Sequence, residues 1–447
     1  NAPVCAPARC SLATGLDPHH CGVLCNSHNL DPEFPTLYKH LRDHGWWTGY
    51  VGKLDLAKGI GDREVGEDGR MPALFAWGFC DPRDSGGVVL PNKADRRPYF
   101  RHLESKGLLE TFNADRAARV LREGVFCAMR SGSVDPRDLP CDWIAQNAGD
   151  SLLAEDDHTD GFCGALAERW LEEACLRTEP FFLQVNFHGP HDPYDPPAEW
   201  ARLFRDAPVP PAVSPPEQAT SWQNRKFASA HAPSIAHARR QYSATVAMID
   251  NRIGRMIELL ERCGRLENTL IIFTSDHGDM MGDLGLFAKN VPYEGGLRVP
   301  LMMAGPGIPS GRCSNTIVEL ADLHPTICDL LGLPVPEGLD ARSLAPVIRG
   351  QAENHRSDAL TMLDHFVCLR TADWKYVLYS DGAEELYDLV NDPGEREELI
   401  AQNRREELLR QARARLNNRV GTSYRGPKPG WWDFLMDNCS LSKEKGE

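Results

Sequence analysis

The sequence predicts an α/β protein with a large domain, in which helices flank a central mixed, mostly parallel sheet, and a smaller C-terminal α+β domain with a short antiparallel sheet. Three observations lead to this prediction. The chain of 447 residues exceeds one ordinary core. A helical pattern followed by a short apolar strand occurs twice, and each of these strands ends in a cluster of polar residues.

The first helix–strand unit lies between residues 161 and 187. Its helix is indicated by apolar residues at helical spacing, namely Leu166, Trp170, Leu171 and Ala174. The apolar segment 181–187 predicts a strand, which runs directly into His188-Gly189-Pro190-His191.

The second unit repeats this order. Its helix is indicated by Val246, Ile249, Ile253, Ile257 and Leu260, and segment 270–273 predicts a buried strand that ends in the polar segment 275–279. Repeated helix–strand units favour parallel strands. Because open α/β sheets bind ligands at the carboxyl ends of their strands, both polar clusters are candidate site residues.

The N-terminal segment predicts a short helix with Pro7 in its first turn and Gly15 at its end. Cys5 is then placed just before a helix N-terminus, where free N–H groups favour a bound anion. Residues 60–160 are rich in Gly, Asp, Arg and Pro, which predicts an irregular, substrate-facing insertion.

A polar stretch at 345–360 suggests a boundary between a catalytic domain, 1–345, and a smaller domain, 346–447. In the smaller domain, 374–379 and 386–387 predict antiparallel strands, 391–394 a turn, and 395–416 a charged helix. We expect the tail beyond residue 421, with its two adjacent tryptophans, to pack on the body or on a neighbouring subunit of a homo-oligomer.

Composition excludes several classes of protein. A net charge of −15 argues against nucleic-acid binding. The sequence contains no run of 18 apolar residues, so no membrane span is expected. The 14 cysteines are not densely spaced, which favours free buried thiols and a cytoplasmic location. The sequence contains no C-x-x-C pair, so a structural zinc site is not indicated. An acidic protein that binds an anion must build a local positive pocket.

The segment Cys5-Ala6-Pro7-Ala8-Arg9, followed by Leu12, Thr14 and Gly15, resembles the sulfatase signature C-x-P-x-R and L-x-T-G. Members of that family, in the alkaline phosphatase superfamily, convert this cysteine to formylglycine, so a formylglycine-generating enzyme is an implied partner. One hydroxyl of the hydrated aldehyde attacks sulfur, and deprotonation of the other later expels sulfate.

Further motifs in matching order imply the other site residues. By resemblance, Lys289 contacts sulfate, His191 touches sulfate or protonates the leaving group, and Lys53 lies on the sulfate or the nucleophile. Lys53 belongs to Gly52-Lys53-Leu54-Asp55, where the family usually has His in place of Asp55. A carboxylate could accept the same proton, or Asp55 could instead anchor Lys53 or Arg9.

The segment 276–279, Asp-His-Gly-Asp, resembles the second metal motif of the family and implies Asp276 and His277 as ligands of a divalent cation. Ca²⁺ is expected, with Mn²⁺ or Mg²⁺ as alternatives. In the family, a first strand ending in two further Asp ligands precedes the cysteine, whereas only four residues precede Cys5 here. We therefore expect residues 1–447 to lack that strand and to hold the metal loosely or not at all.

The resemblance implies hydrolysis of a sulfate ester or sulfamate on a sulfated small molecule or sugar. Two alternatives remain open. One is a phosphonate monoester hydrolase or phosphodiesterase of the same superfamily. The other is a degenerate, non-catalytic anion-binding fold. A zinc pair formed by His188 and His191 is disfavoured, because Gly-Pro between them breaks helical spacing.

Overall fold

The computed structural model describes residues 1–57, 72–84, 98–119, 147–216, 232–400 and 405–421. The described helices are α1 Cys5–Thr14, α2 Pro18–Cys21, α3 Leu37–Asp43, α4 Pro72–Ala76, α5 Pro98–Ser105, α6 Leu109–Ala118, α7 Thr159–Cys175, α8 Ala198–Phe204, α9 Ala232–Arg262, α10 Glu294–Leu297, α11 Leu323–Leu330, α12 Ala345–Ile348 and α13 Glu406–Val420. The described strands are β1 Trp47–Gly52, β2 Asp81–Asp84, β3 Phe181–Asn186, β4 Ile271–Thr274, β5 Leu301–Ala304, β6 Asp358–Met362, β7 Phe366–Thr371, β8 Trp374–Tyr379 and β9 Glu384–Asp388. In these ranges no helix has the length and apolar character to cross a membrane.

Strand β1 is the centre of a three-stranded parallel sheet with the order β2-β1-β3. Its close packing against helix α7 requires Gly49, because a Cβ there would lie 2.1 Å from the Trp170 ring. The same indole stacks on Trp47 with ring centroids 4.2 Å apart. This layer of helix on parallel sheet confirms the predicted fold class.

Strand β4 is the second predicted strand, and its environment differs from the prediction. It pairs antiparallel with β5, and within the described residues it forms no ladder with β3. The strand is only partly buried, with Phe273 37% exposed, so the prediction of a buried strand is wrong. Residues Phe182 of β3 and Ile272 of β4 nevertheless pack on the same core cluster, which includes residues of helix α1.

The C-terminal part contains a four-stranded antiparallel sheet, β6-β7-β8-β9, with helix α13 packed on it. The strands predicted at 374–379 and 386–387 are two of these four. The predicted helix at 395–416 begins only at Glu406. Residues before it form a turn, in which the Asp392 carboxylate accepts hydrogen bonds from the N–H groups of Arg396 and Glu397.

Segment 60–160 is more regular than predicted. Its described residues include three helices, α4, α5 and α6, and strand β2, which joins the parallel sheet. The remainder of that segment and the tryptophan-containing tail lie outside the described residues.

Candidate active site

Cys5 is the first residue of helix α1, rather than the residue before it, and its side chain is fully buried. The helix ends at Gly15, which adopts a left-handed conformation with φ of 70°. At the other end, the N–H of Ala6 donates to Oδ1 of Asn26 at 3.0 Å. Cys5 therefore lies at a helix N-terminus whose first turn is fixed by a residue that no sequence motif indicated.

Lys53 reaches Cys5 from the end of strand β1. Gly52 makes the exit from the strand possible, since its φ is 101° and a Cβ there would lie 2.0 Å from the carbonyl oxygen of Asn186. The Lys53 Nζ lies 3.5 Å from the Cys5 Sγ and 3.2 Å from Oδ2 of Asp55. Asp55 itself has a positive φ of 59°, a conformation that Asp, Asn and His adopt more readily than other side chains.

Arg9 connects helix α1 to the ends of two strands. Its Nε donates to Oδ2 of Asp276 at 2.8 Å, and its Nη1 donates to the carbonyl of Lys53. Burial alone would raise the pKa of Asp276, but the adjacent Arg9 guanidinium, together with His277 and Lys53, holds the pKa of this carboxyl well below its usual range. Asp276 is therefore ionised throughout the neutral and mildly acidic range.

His277 faces the Cys5 thiol. Its Nε2 lies 3.3 Å from Sγ of Cys5, and its Nδ1 lies 2.8 Å from the carbonyl oxygen of Gly278. A carbonyl oxygen can only accept, so Nδ1 carries the proton and donates. In the tautomer with the proton on Nδ1, the lone pair of Nε2 points toward the nucleophile position, which is the orientation that metal-ligating histidines commonly have.

Lys289 is buried in a loop that is attached to the N-terminal segment. The N–H of Ala288, on one side of it, donates to Oδ1 of Asp279 at 2.9 Å. The N–H of Asn290, on the other side, donates to the carbonyl of Pro3 at 3.0 Å, two residues before Cys5. Ala288 and Asn290 both have positive φ, of 61° and 69°, so the backbone on each side of Lys289 is strained.

His191 lies in the loop after strand β3, and its Nδ1 hydrogen-bonds the carbonyl of Asp192 at 2.7 Å. The start of this loop is held by Asp160, whose Oδ1 accepts from the N–H groups of His188 at 2.7 Å and Gly189 at 2.8 Å. Asp160 was not predicted from the sequence. The contacts of His191 are with this loop and not with Cys5.

The eight residues predicted for the site all lie in the part of the chain that the structure describes. Direct contacts join six of them, namely Cys5, Arg9, Lys53, Asp55, Asp276 and His277. Lys289 and His191 lie on separate loops. The predicted excess of positive charge is reduced in the contacting group, because Arg9 and Lys53 face the carboxylates of Asp276 and Asp55.

A divalent cation would find a partial set of ligands here. Ligand atoms of Cys5, Asp276 and His277 lie within 4.8 Å of one another, the one such cluster among the described residues. A formylglycine hydrate would offer oxygen in place of the sulfur of Cys5. Ca²⁺ takes six to eight oxygen-rich ligands, so these three residues fit part of a coordination shell and do not complete one.

A helix N-terminus that presents a cysteine to cationic groups, at the carboxyl ends of strands in an α/β fold, defines a class of site suited to anionic esters. Residues 1–333 match the family described as Sulfatase, and residues 282–421 match the one described as N-sulphoglucosamine sulphohydrolase, C-terminal. The chain belongs to the sulfatase family of the alkaline phosphatase superfamily.

Two curated relatives show the extent of this similarity. The choline-sulfatase of Rhizobium meliloti (strain 1021) is 28% identical over 479 residues, which cover 100% of this chain and 81% of that protein. Arylsulfatase K of Homo sapiens is 28% identical over 425 residues, which cover 88% of this chain and 70% of that protein.

Solved structures agree on the fold. The phosphonate monoester hydrolase of Agrobacterium radiobacter superposes with a TM-score of 0.71 at 24% identity, covering 93% of this chain and 86% of that chain. BT4656, solved in complex with its substrate D-glucosamine-2-N,6-O-disulfate, superposes with a TM-score of 0.67 at 18% identity, covering 93% and 88%.

Proposed function

We propose that this chain hydrolyses a sulfate ester or sulfamate, with a formylglycine hydrate derived from Cys5 as the nucleophile. The observation that carries the proposal is the contact group around Cys5, in which Lys53 and His277 approach the sulfur from different strands. Enzymes of the sulfatase family generally depend on a metal and on formylglycine. The substrate classes named for relatives, a choline ester and sulfated sugars, make a sulfated small molecule or sugar the proposed substrate.

The chemistry assigned to Cys5 uses both hydroxyls of the hydrate. One hydroxyl loses its proton, and its oxygen bonds to sulfur while the bond between sulfur and the bridging oxygen of the ester, or nitrogen of the sulfamate, breaks; the departing alcohol or amine takes up a proton. The remaining hydroxyl then loses its proton, the C=O bond re-forms and sulfate leaves. Lys53 is placed to hold the nucleophile. We propose that Lys289 or His191 stabilises or protonates the leaving group.

Asp55 is our proposed acceptor for the second proton. It lies in the cluster beside Lys53 and replaces the His that the family usually has. A base must lie within hydrogen-bond reach of its proton, directly or through one water molecule. The ion pair with Lys53 places the Asp55 carboxylate next to a group that itself contacts Cys5.

A divalent cation is proposed to bind at Asp276 and His277, where it would polarise the sulfate and lower the pKa of the nucleophilic hydroxyl. Because the described residues supply so few ligands, we expect these residues alone to bind Ca²⁺ weakly. Elemental analysis after gel filtration checks this. A stoichiometric, tightly held ion coordinated only by residues 1–447 would contradict the expectation.

The decisive experiment is mass spectrometry of the peptide 1–9 after co-expression with a formylglycine-generating enzyme. We expect loss of sulfur and two hydrogens and gain of one oxygen at Cys5. The protein is then assayed with matched aryl sulfates and aryl phosphonate monoesters. Cys5→Ala removes the nucleophile, and Cys10→Ala, in the same helix, is the matched control because, among the described residues, its thiol hydrogen-bonds the Leu56 carbonyl and no group of the site.

Each result separates the alternatives. Conversion of Cys5 with preferred turnover of the sulfate supports the proposal. Preferred turnover of the phosphonate would instead identify a phosphonate monoester hydrolase, a function that the fold also supports in other proteins. An unmodified thiol in every preparation, with no turnover of either ester, would indicate a non-catalytic anion-binding protein.

A further inference from the structure

The ends of helices α7 and α9 bring two cysteines together away from the candidate active site. Cys175 is the last residue of α7, and Cys263 follows the last residue of α9 directly. The N–H of Cys263 still donates to the carbonyl of Leu259, so Cys263 continues the helical turn. The Cys263 thiol neighbours the Cys175 thiol closely enough to affect its ionisation.

Other contacts fix this arrangement. Arg265 donates from Nη2 to the carbonyl of Arg177 at 2.7 Å and to that of Cys175 at 3.4 Å, which ties the turn after α9 to the end of α7. Cys175 also packs on an apolar cluster that includes Leu259 and Leu266. The two backbone segments are therefore held against each other by contacts that do not involve the thiols.

We propose that Cys175 and Cys263 form a disulfide that clamps the carboxyl ends of helices α7 and α9. The described cysteines, these two included, are free thiols, and most of them are buried. This pair differs because Cys263 is exposed and Cys175 is partly exposed, so that an oxidant of low molecular weight can reach it.

The order of the reaction follows from the environments of the two thiols. Burial and the adjacent Cys263 raise the pKa of Cys175 to about 11, which disfavours its thiolate. Cys263 therefore attacks an external disulfide such as oxidised glutathione first, releasing one glutathione thiol. Cys175 then loses its proton, attacks the Cys263 sulfur and releases the second glutathione. Two protein thiols are oxidised, and one external disulfide is reduced to two thiols.

The disulfide would join the carboxyl ends of two helices whose N-terminal parts contact loops of the candidate site. Helix α7 begins beside Asp160, which holds the loop at His188. Helix α9 carries Arg239, which donates to the carbonyl of Met281 in the loop that precedes Lys289. We expect the disulfide to preserve this arrangement on heating without altering turnover at 25 °C.

Peptide mapping after incubation with oxidised glutathione tests the proposal. Tryptic peptides 170–177 and 263–265 should be joined, with a mass two hydrogens below their sum. In the Cys175→Ser variant, Cys263 should stop at the mixed disulfide with glutathione. Cys313→Ser, at an exposed cysteine elsewhere, is the matched control and should leave the joined peptides unchanged.

Thermal unfolding gives a second measurement. Closing the loop between residues 175 and 263 should raise Tm by about 4 °C for a chain of this size. Cys263→Ser should abolish the difference in Tm between oxidised and reduced protein. Full alkylation of both cysteines after oxidation would overturn the proposal, as would accumulation of the mixed disulfide at Cys263 in the unmutated protein.

Discussion

Substitution of Asp55 separates two roles that its position allows, proton acceptor and anchor for Lys53. Asp55→Asn removes the charge while keeping the shape of the side chain. Asp55→His introduces the residue that the family usually has. Both replacements tolerate the positive φ of 59° at this position, so backbone strain is a minor contribution to either result.

The effect on stability can be estimated from the ion pair itself. At the Nζ–Oδ2 separation of 3.2 Å and an effective dielectric constant of about 20, the attraction between Lys53 and Asp55 amounts to about 5 kcal/mol. The two side chains are 12% and 13% exposed, so water screens part of this attraction. For Asp55→Asn we expect the free energy of unfolding to fall by about 3 kcal/mol, the usual consequence of leaving a buried charge without its partner.

The effect on catalysis distinguishes the roles. If Asp55 accepts the proton that releases sulfate, Asp55→Asn should lower kcat by roughly 100- to 10,000-fold. The first half of the reaction would still occur, giving a burst of about one aryl alcohol per enzyme and a sulfated protein visible by intact mass. Asp55→His should recover most of kcat, because a neutral imidazole can accept the same proton.

The assay combines burst kinetics on an aryl sulfate with urea denaturation and intact mass. Formylglycine content is measured in each variant, so that incomplete maturation is not mistaken for lost catalysis. An anchoring role alone would raise KM in both variants without a burst. Unchanged kcat and unchanged unfolding free energy in Asp55→Asn would refute both roles.

Three further predictions follow from buried groups. Asp160→Ala should reduce kcat without changing formylglycine content, because the N–H groups of His188 and Gly189 lose their acceptor. Asp160→Asn keeps an oxygen and should reduce kcat less; equal reductions in the two variants would contradict this. Burial lowers the pKa of His324 to about 4, so between that pH and about 6.5 the unfolded chain binds more protons than the folded chain. The free energy of unfolding should therefore fall by about 3 kcal/mol as pH falls through this window, and urea titrations of His324→Leu should show that this loss is removed. Lys375→Met should lower the free energy of unfolding by about 3 kcal/mol, since Lys375 is fully buried between two carboxylates, and an unchanged urea midpoint would contradict that.

The sequence predicted those parts of the site that depend on short motifs. Periodicity indicated the helix before β3 and located the strand itself within a residue, because an amphipathic helix and an apolar strand each leave a local pattern. Partners distant in sequence left no such pattern. Asn26, which accepts from the N–H of Ala6, is one of several polar residues in a loop, and only the fold shows what it contacts.

Errors in the prediction share a physical cause. The apolar composition of β4 indicated burial, yet burial depends on which strands lie beside it, and composition does not specify neighbours. The charged segment after residue 394 indicated helix, but Glu395 has a positive φ of 55° and a buried side chain that pairs with Lys375. Tertiary contacts there outweigh helix propensity.

The charges around Cys5 explain why an additional positive group is needed to bind sulfate. The two cations, Arg9 and Lys53, are balanced by two carboxylates, Asp55 and Asp276, so the formal charge of these four groups is zero. A chain with a net charge of −15 gains no attraction for an anion from such a cluster. Lys289 or a divalent cation at Asp276 and His277 must supply the excess. We therefore expect Lys289→Met, and chelation of protein that has been supplied with excess Ca²⁺, each to weaken binding of inorganic sulfate at least tenfold, as measured by calorimetry. Sulfate affinity that survives both perturbations together would show that the charge balance has been assigned wrongly.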